Sequence, residues 1–158
     1  MSEDDDEQQR KNRQLDQLLQ ETRVIMPGVQ VLFAFLLAVT FQQQFQKTTS
    51  FQRDVFLATI LGATASTVCF IAPAAWHRIL FQQKDKRHII KVANRFVISG
   101  LVLLALSMTF ALVLVCDVAF SGTTAAVVPA LAFSTFGWFW FIAPLIRRNK
   151  DNIRRNVD

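Results

Sequence analysis

FVISGLVLLALSMTFALVLVC, Phe96–Cys116, runs for 21 residues without an Asp, Glu, Lys, Arg or His. About 20 apolar residues are enough for a helix to cross the roughly 30 Å of hydrocarbon in a bilayer. Working outward from it, three more stretches have the same character. Val24–Phe41, Val55–Trp76 and Ala125–Ile146 contain 18, 22 and 22 residues, again with no such group inside. In the first of them Phe33, Leu37, Phe41 and Phe45 recur at intervals of four, which carries the expected helix on to Phe45. Four spans are therefore predicted, at about 24–45, 55–76, 96–116 and 125–146. The chain is 52% hydrophobic, with its charges expelled into the flanks. A soluble domain of 158 residues would interleave them.

The flanks differ in sign. Fifteen of the 17 Lys and Arg residues lie in the N-terminal arm, the middle connection and the tail, and only Lys47 and Arg53 lie in the first hairpin turn. The turn between spans three and four has none. This alternation predicts four spans with both termini and the Arg78–Arg95 connection in the cytoplasm. Arg78, Lys84, Lys86, Arg87, Arg147 and Arg148 then sit beside membrane exits, placed to contact anionic lipid headgroups. The net charge of +5 is accounted for by topology and lipid contact. No nucleic-acid recognition motif accompanies it, so nucleic acid is excluded as a partner. The first stretch is too long for the apolar core of a cleaved signal and is expected to stay as an anchor.

Outside the spans, Met1–Arg13 reads as a disordered acidic arm, since Glu3–Glu7 offers nothing apolar to bury. In residues 14–23, Leu15, Leu18, Leu19 and Thr22 share one face, with Asp16 and Glu21 opposite. That pattern predicts a short amphipathic helix lying in the headgroup region. Pro27 would then fall in the first turn of span one, where proline is best tolerated. Residues 149–158 form a basic cytoplasmic tail. The expected architecture is an all-α membrane four-helix bundle, residues 24–148, preceded by that amphipathic helix. Phe70-Ile71-Ala72-Pro73 near the end of span two recurs as Phe141-Ile142-Ala143-Pro144 near the end of span four. Two tandem transmembrane hairpins are expected, copies of one unit related by an axis along the membrane normal.

Several residues stand out as candidates for a role. Ala58, Gly62 and Ser66 repeat every four residues and predict a helix-packing face, because small side chains let helices approach closely in lipid. Gln30 lies seven residues beyond Arg23, about 10 Å inside the first span. An amide there needs a partner. With Thr64, Thr67 and Ser107 it forms the set of buried polar groups, either bonding between helices or lining a solute path. Asp117, at the outer end of span three, is expected to pair with Arg53 across the outer loops. Trp138 and Trp140 lie about 13 and 10 Å inside Arg147, too deep for the interfacial belt, and are expected to pack against the Ala58/Gly62/Ser66 groove. Cys69 and Cys116 lie at different depths and cannot form a disulfide. His77 and His88 have no companion at metal-ligand spacing. No nucleophile–base pair or phosphate-binding loop is present, so neither cofactor nor enzymatic activity is expected.

A longer pattern resembles a known family. Its residues are Leu18-Leu19-Gln20-Glu21, Arg23, Gly28-Val29-Gln30, Leu32–Leu37, Phe41-Gln42, Phe45 and Phe51-Gln52-Arg53. Ile71-Ala72-Pro73 followed by His77-Arg78 extends it. Together they are similar to a family of unknown function comprising small actinobacterial four-span membrane proteins, over Leu15–Arg148. The resemblance implies the bacterial plasma membrane and no established activity. Some members carry a sodium:proton antiporter label, which would require an intramembrane carboxylate that this chain lacks. The sequence thus favours a non-enzymatic protein acting by helix association, as a homo-oligomer or within a larger membrane complex. The alternative is a small oligomeric permeation unit lined by Gln30 and the Thr and Ser residues.

Overall fold

Helix α1, Glu3–Thr40, is 38 residues long, about 57 Å at 1.5 Å per residue. A computed structural model describes residues 3–79, 86–120 and 122–147. Only Gln20–Thr40 of α1 is apolar enough to cross a membrane. The acidic arm and the amphipathic segment are therefore not separate pieces but the first half of one helix. The reason is cooperative. Once the span has nucleated a helix, adding residues costs little, and the Glu, Gln, Arg and Lys of the arm are good helix formers. Pro27 consequently lies deep inside α1 rather than in its first turn.

At its other end α1 stops at Thr40, short of the expected Phe45. The N–H groups of Phe41 and Gln42 donate three residues back, to Ala38 and Val39, which tightens the last turn. A 3₁₀ turn, Gln43–Lys47, follows. Phe45 therefore leaves the α1 stripe and packs edge-on against Phe56, with ring centroids 4.9 Å apart.

Helix α2, Ser50–Ile79, opens with a reciprocal cap. Gln52 donates its N–H to Thr49 Oγ1 at 3.2 Å, and its Oε1 accepts from the Thr49 N–H at 3.0 Å. Helix α3, Lys86–Ala119, begins well before the third apolar stretch. The middle connection is thus largely helical, and only residues 80–85 fall outside the description. Gly122, at φ 71°, turns the chain toward α4, Thr123–Phe136, in a backbone region that favours glycine.

Helix α4 widens into a π-helical segment, Gly137–Ile142, where the Ala143 N–H reaches Trp138 O, five residues back. α-Helical geometry then resumes over 143–147. Pro144 explains the position of the widening. Its ring would clash with the carbonyl of Trp140 in a regular helix, and a wider turn relieves that clash.

The described elements contain no strand, and four helices are long and apolar enough to span a membrane. Helix α3 is central. It packs most extensively on α2, while α4 leans on α3 and α1 lies across both α2 and α3. Among the described residues α1 and α4 share no comparable contact, so the bundle is not closed on that side. Val29, Phe70, Val97 and Leu104 form the core, with Ile25, Leu32, Leu101 and Trp140 against it. Trp76, near the end of α2, meets Phe96 of α3 edge-on, with ring centroids 5.9 Å apart. The two Ile-Ala-Pro segments have unlike surroundings: Pro73 is fully buried, whereas Pro144 is exposed.

Candidate functional site

The densest chemistry of the bundle lies between α2 and α3. Thr59, Gly62, Ser66 and Phe70 follow one another along one face of α2. Facing them on α3 are Ser107, Leu103 and Gly100. Ser107 donates its hydroxyl to the Thr59 carbonyl at 2.7 Å, and Ser66 donates to the Gly100 carbonyl at 3.1 Å. Stepping seven residues down α2 matches seven residues up α3, the register of antiparallel helices in contact two turns apart. The approach is close enough to exclude larger residues. A Cβ on Gly62 would lie 3.3 Å from Ser107 Cβ, and one on Gly100 would lie 2.8 Å from Phe70 Cε1. Thr59, Ala63, Ser66, Phe70 and Ser107 are fully buried.

The face named from the sequence as Ala58, Gly62 and Ser66 therefore lies against α3, with Ala58 half-buried at its margin. Trp138 and Trp140 do not fill that groove, because α3 already does. Trp140 packs on the Val29/Phe70/Val97/Leu104 core and against Phe136, at 5.2 Å between ring centroids. Trp138 is exposed. Two positions apart, the two indoles lie on nearly opposite sides of the helix, which gives them such different surroundings.

The four polar residues expected to share a buried site are not brought together. Ser107 bonds inside the dry α2–α3 contact. Thr67 is half-buried and bonds back to the Ala63 carbonyl of its own helix at 2.9 Å. Thr64 is exposed, and its hydroxyl bonds back to the Ile60 carbonyl at 2.8 Å. Gln30 also points outward, with no side-chain partner among the described residues. Both exposures correct the expectation of burial. Val29, one position before Gln30, is the residue that α1 turns into the core, and the next side chain is rotated about 100° away from it.

At the end of the bundle holding the two hairpin turns, the expected Arg53–Asp117 pair is replaced. Asp117 Oδ2 accepts instead from Gln52 Nε2 at 2.8 Å. Gln52 lies on the half-buried side of α2 facing α3, and Arg53, one residue further round, is exposed. A single amide thus caps α2 and ties its start to the end of α3. The Thr-x-x-Gln spacing of Thr49 and Gln52 was the signal that sequence reasoning passed over. Beneath this tie lies an apolar cavity of about 290 Å³, between α1, α2 and α3 and under the 3₁₀ turn. No sequence signal marked it.

At the opposite end, Arg78 and Arg147 are exposed. Of the remaining expected lipid-contact residues, Lys84 and Arg148 lie outside the described residues, and Lys86 and Arg87 are described only as the backbone of the first turn of α3. Cys69 and Cys116 are both free thiols.

Four long apolar helices, minimal connections and hydroxyl-to-carbonyl bonds between close-packed spans define a multi-pass membrane protein of the helical-bundle class. Within that class the chain belongs to the family of unknown function DUF6328, which matches residues 4–144. That match takes in the whole of α1 beyond Glu3, spans two and three, and all but the last residues of span four. No curated protein and no solved structure matches the chain.

Proposed function

We propose that this protein acts by helix association in the membrane, without enzymatic chemistry, as a homo-oligomer or as a subunit of a larger membrane complex. The observation that carries this reading is the outward-facing amide of Gln30, in the middle of a spanning helix and without a partner among the described residues. An amide left without a hydrogen bond in an apolar medium costs roughly 2–7 kcal/mol. At about 10 Å inside Arg23 it lies beyond reach of the headgroups. A neighbouring helix is the available source of a partner. Ala34 and Ala38 continue the same side of α1 at intervals of four and are also exposed, so a second helix can approach closely there.

The permeation alternative has less support. Its lining residues face different sides of the bundle, and two of them are spent on their own helix. For orientation, the basic bias supports cytoplasmic termini in a bacterial plasma membrane. The exposed Arg78 and Arg147 would contact anionic headgroups on that side.

The test is cross-linking in lipid. With Cys69 and Cys116 replaced by alanine, a single cysteine at Ala34 is expected to give a disulfide-linked dimer or a cross-link to a co-purifying membrane protein. Gln30→Leu is expected to reduce it. A particle that stays monomeric and uncross-linked in native membranes, with or without Gln30, refutes the proposal.

A further inference from the structure

The cavity near the hairpin turns is independent of the association reading and asks a different question. Its volume, about 290 Å³, is about ten times the share of liquid occupied by one water. Its walls are almost wholly hydrocarbon: Leu36 and Val39 of α1, Phe56 of α2, and Ala111 and Leu114 of α3. A buried water needs two to four polar partners, and such walls offer none, so water does not fill it.

The two polar residues at its rim are already engaged. Thr48 Oγ1 donates to the Phe45 carbonyl at 2.8 Å. The Gln52 amide donates to Asp117 and accepts from the Thr49 N–H. Both are held by local bonds at the edge, and the almost wholly apolar lining favours a hydrocarbon occupant.

Access is lateral. The 3₁₀ turn carrying Phe45 lies over the cavity on the side of the connections, with Phe45 held edge-on to Phe56. The edges on α1 and α3 are Phe35 and Val115, each about half exposed. Helices α1 and α3 meet near Val29, Val97 and Leu104, at the other end of the molecule. The cavity lies nearer the connections, and its exposed edges, Phe35 and Val115, sit on spanning helices whose outer surface is apolar. From Ala111 to Ala119 the α3 wall extends about 12 Å along the helix, within one leaflet.

We propose that this cavity binds one acyl chain of a phospholipid from the leaflet on the side of the hairpin connections. The chain leaves one hydrocarbon environment for another, so no hydrophobic transfer drives it. What it gains is contact with walls that otherwise face a void. The selectivity is accordingly for chain shape, and the effect to look for is enrichment over bulk lipid contact.

The experiment uses the full chain in phosphatidylcholine–phosphatidylglycerol liposomes with a trace of phosphatidylcholine bearing a mid-chain diazirine. After irradiation, adducts are mapped by peptide mass spectrometry. Labelling is expected to concentrate several-fold on Phe35, Val39, Ala111 and Val115, compared with Leu61 and Val68, which are at least as exposed as any of these but do not line this cavity. Ala111→Leu fills the space and is expected to abolish that excess while leaving Leu61 labelled as before. Val39→Phe, from the opposite wall, provides the same test should the first variant misfold, with helicity and melting recorded for both. Uniform labelling, an excess that survives a folded filling variant, or cross-links between two protein chains at these positions in place of lipid would each overturn the proposal.

Discussion

Replacing Gly100 by alanine places a Cβ 2.8 Å from Phe70 Cε1 and 3.0 Å from its Cδ1. Phe70 is fully buried in the core, so its ring cannot swing aside into solvent or lipid. Either the ring leaves its rotamer or α2 and α3 move apart. Overpacking of this kind costs about 1–3 kcal/mol. Separation would also lengthen the Ser66–Gly100 and Ser107–Thr59 bonds, each worth about 0.6 kcal/mol in membrane proteins. Against this, alanine is better than glycine inside a helix by roughly 0.5–1 kcal/mol. The net expectation for Gly100→Ala is a loss of about 1–3 kcal/mol. Gly62→Ala is the internal control. Its Cβ would stand 3.3 Å from Ser107 Cβ, a contact relieved by a shift of a few tenths of an ångström. There the propensity gain offsets most of the cost, and stability should be nearly unchanged. Gly62→Leu has no such relief and is expected to fall with Gly100→Ala or below it. Unfolding in dodecyl maltoside titrated with sodium dodecyl sulfate, followed by helicity, ranks the three. Gly100→Ala equal to or more stable than Gly62→Ala would refute the α2–α3 register described here.

Gln30→Leu is expected to leave the unfolding midpoint of the detergent-solubilised monomer unchanged while weakening association in lipid. Flux of protons, sodium, potassium and chloride should match empty liposomes, and flux that depends on Gln30 would count against the association reading. Thr49→Ala removes the side-chain cap of α2 and should lower stability by about 1 kcal/mol, measured in the same detergent titration. Topology is read by single cysteines at Thr48 and Lys86 in intact cells with an impermeant thiol reagent. Thr48 should label and Lys86 should not, and the reverse pattern would invert the orientation.

The apolar runs, the one-sided distribution of Lys and Arg and the brevity of the connections are properties of composition along the chain. They determine that four helices cross a membrane, because lipid tolerates neither unpaired backbone nor unpaired charge. The spacing of Ala58, Gly62 and Ser66 similarly identified a side of α2 suited to close packing. Which helix lies against it was a different matter. In a soluble helix a polar face shows which side points outward, but in lipid both sides are apolar and the rotation of each helix is left unmarked. Tertiary packing alone decided that Val29 turns inward and Gln30 outward, and that Asp117 meets Gln52 rather than Arg53. It also placed Trp140 on the core and left Trp138 exposed on the opposite side of the same helix, and it opened a π-helical turn that no periodicity announces. The acidic arm was misjudged for a related reason. Its composition describes an isolated peptide, whereas a helix already nucleated by a spanning segment extends into sequence that would not nucleate one alone. The cavity lies between surfaces of α1, α2 and α3, a relation that no single segment encodes by itself.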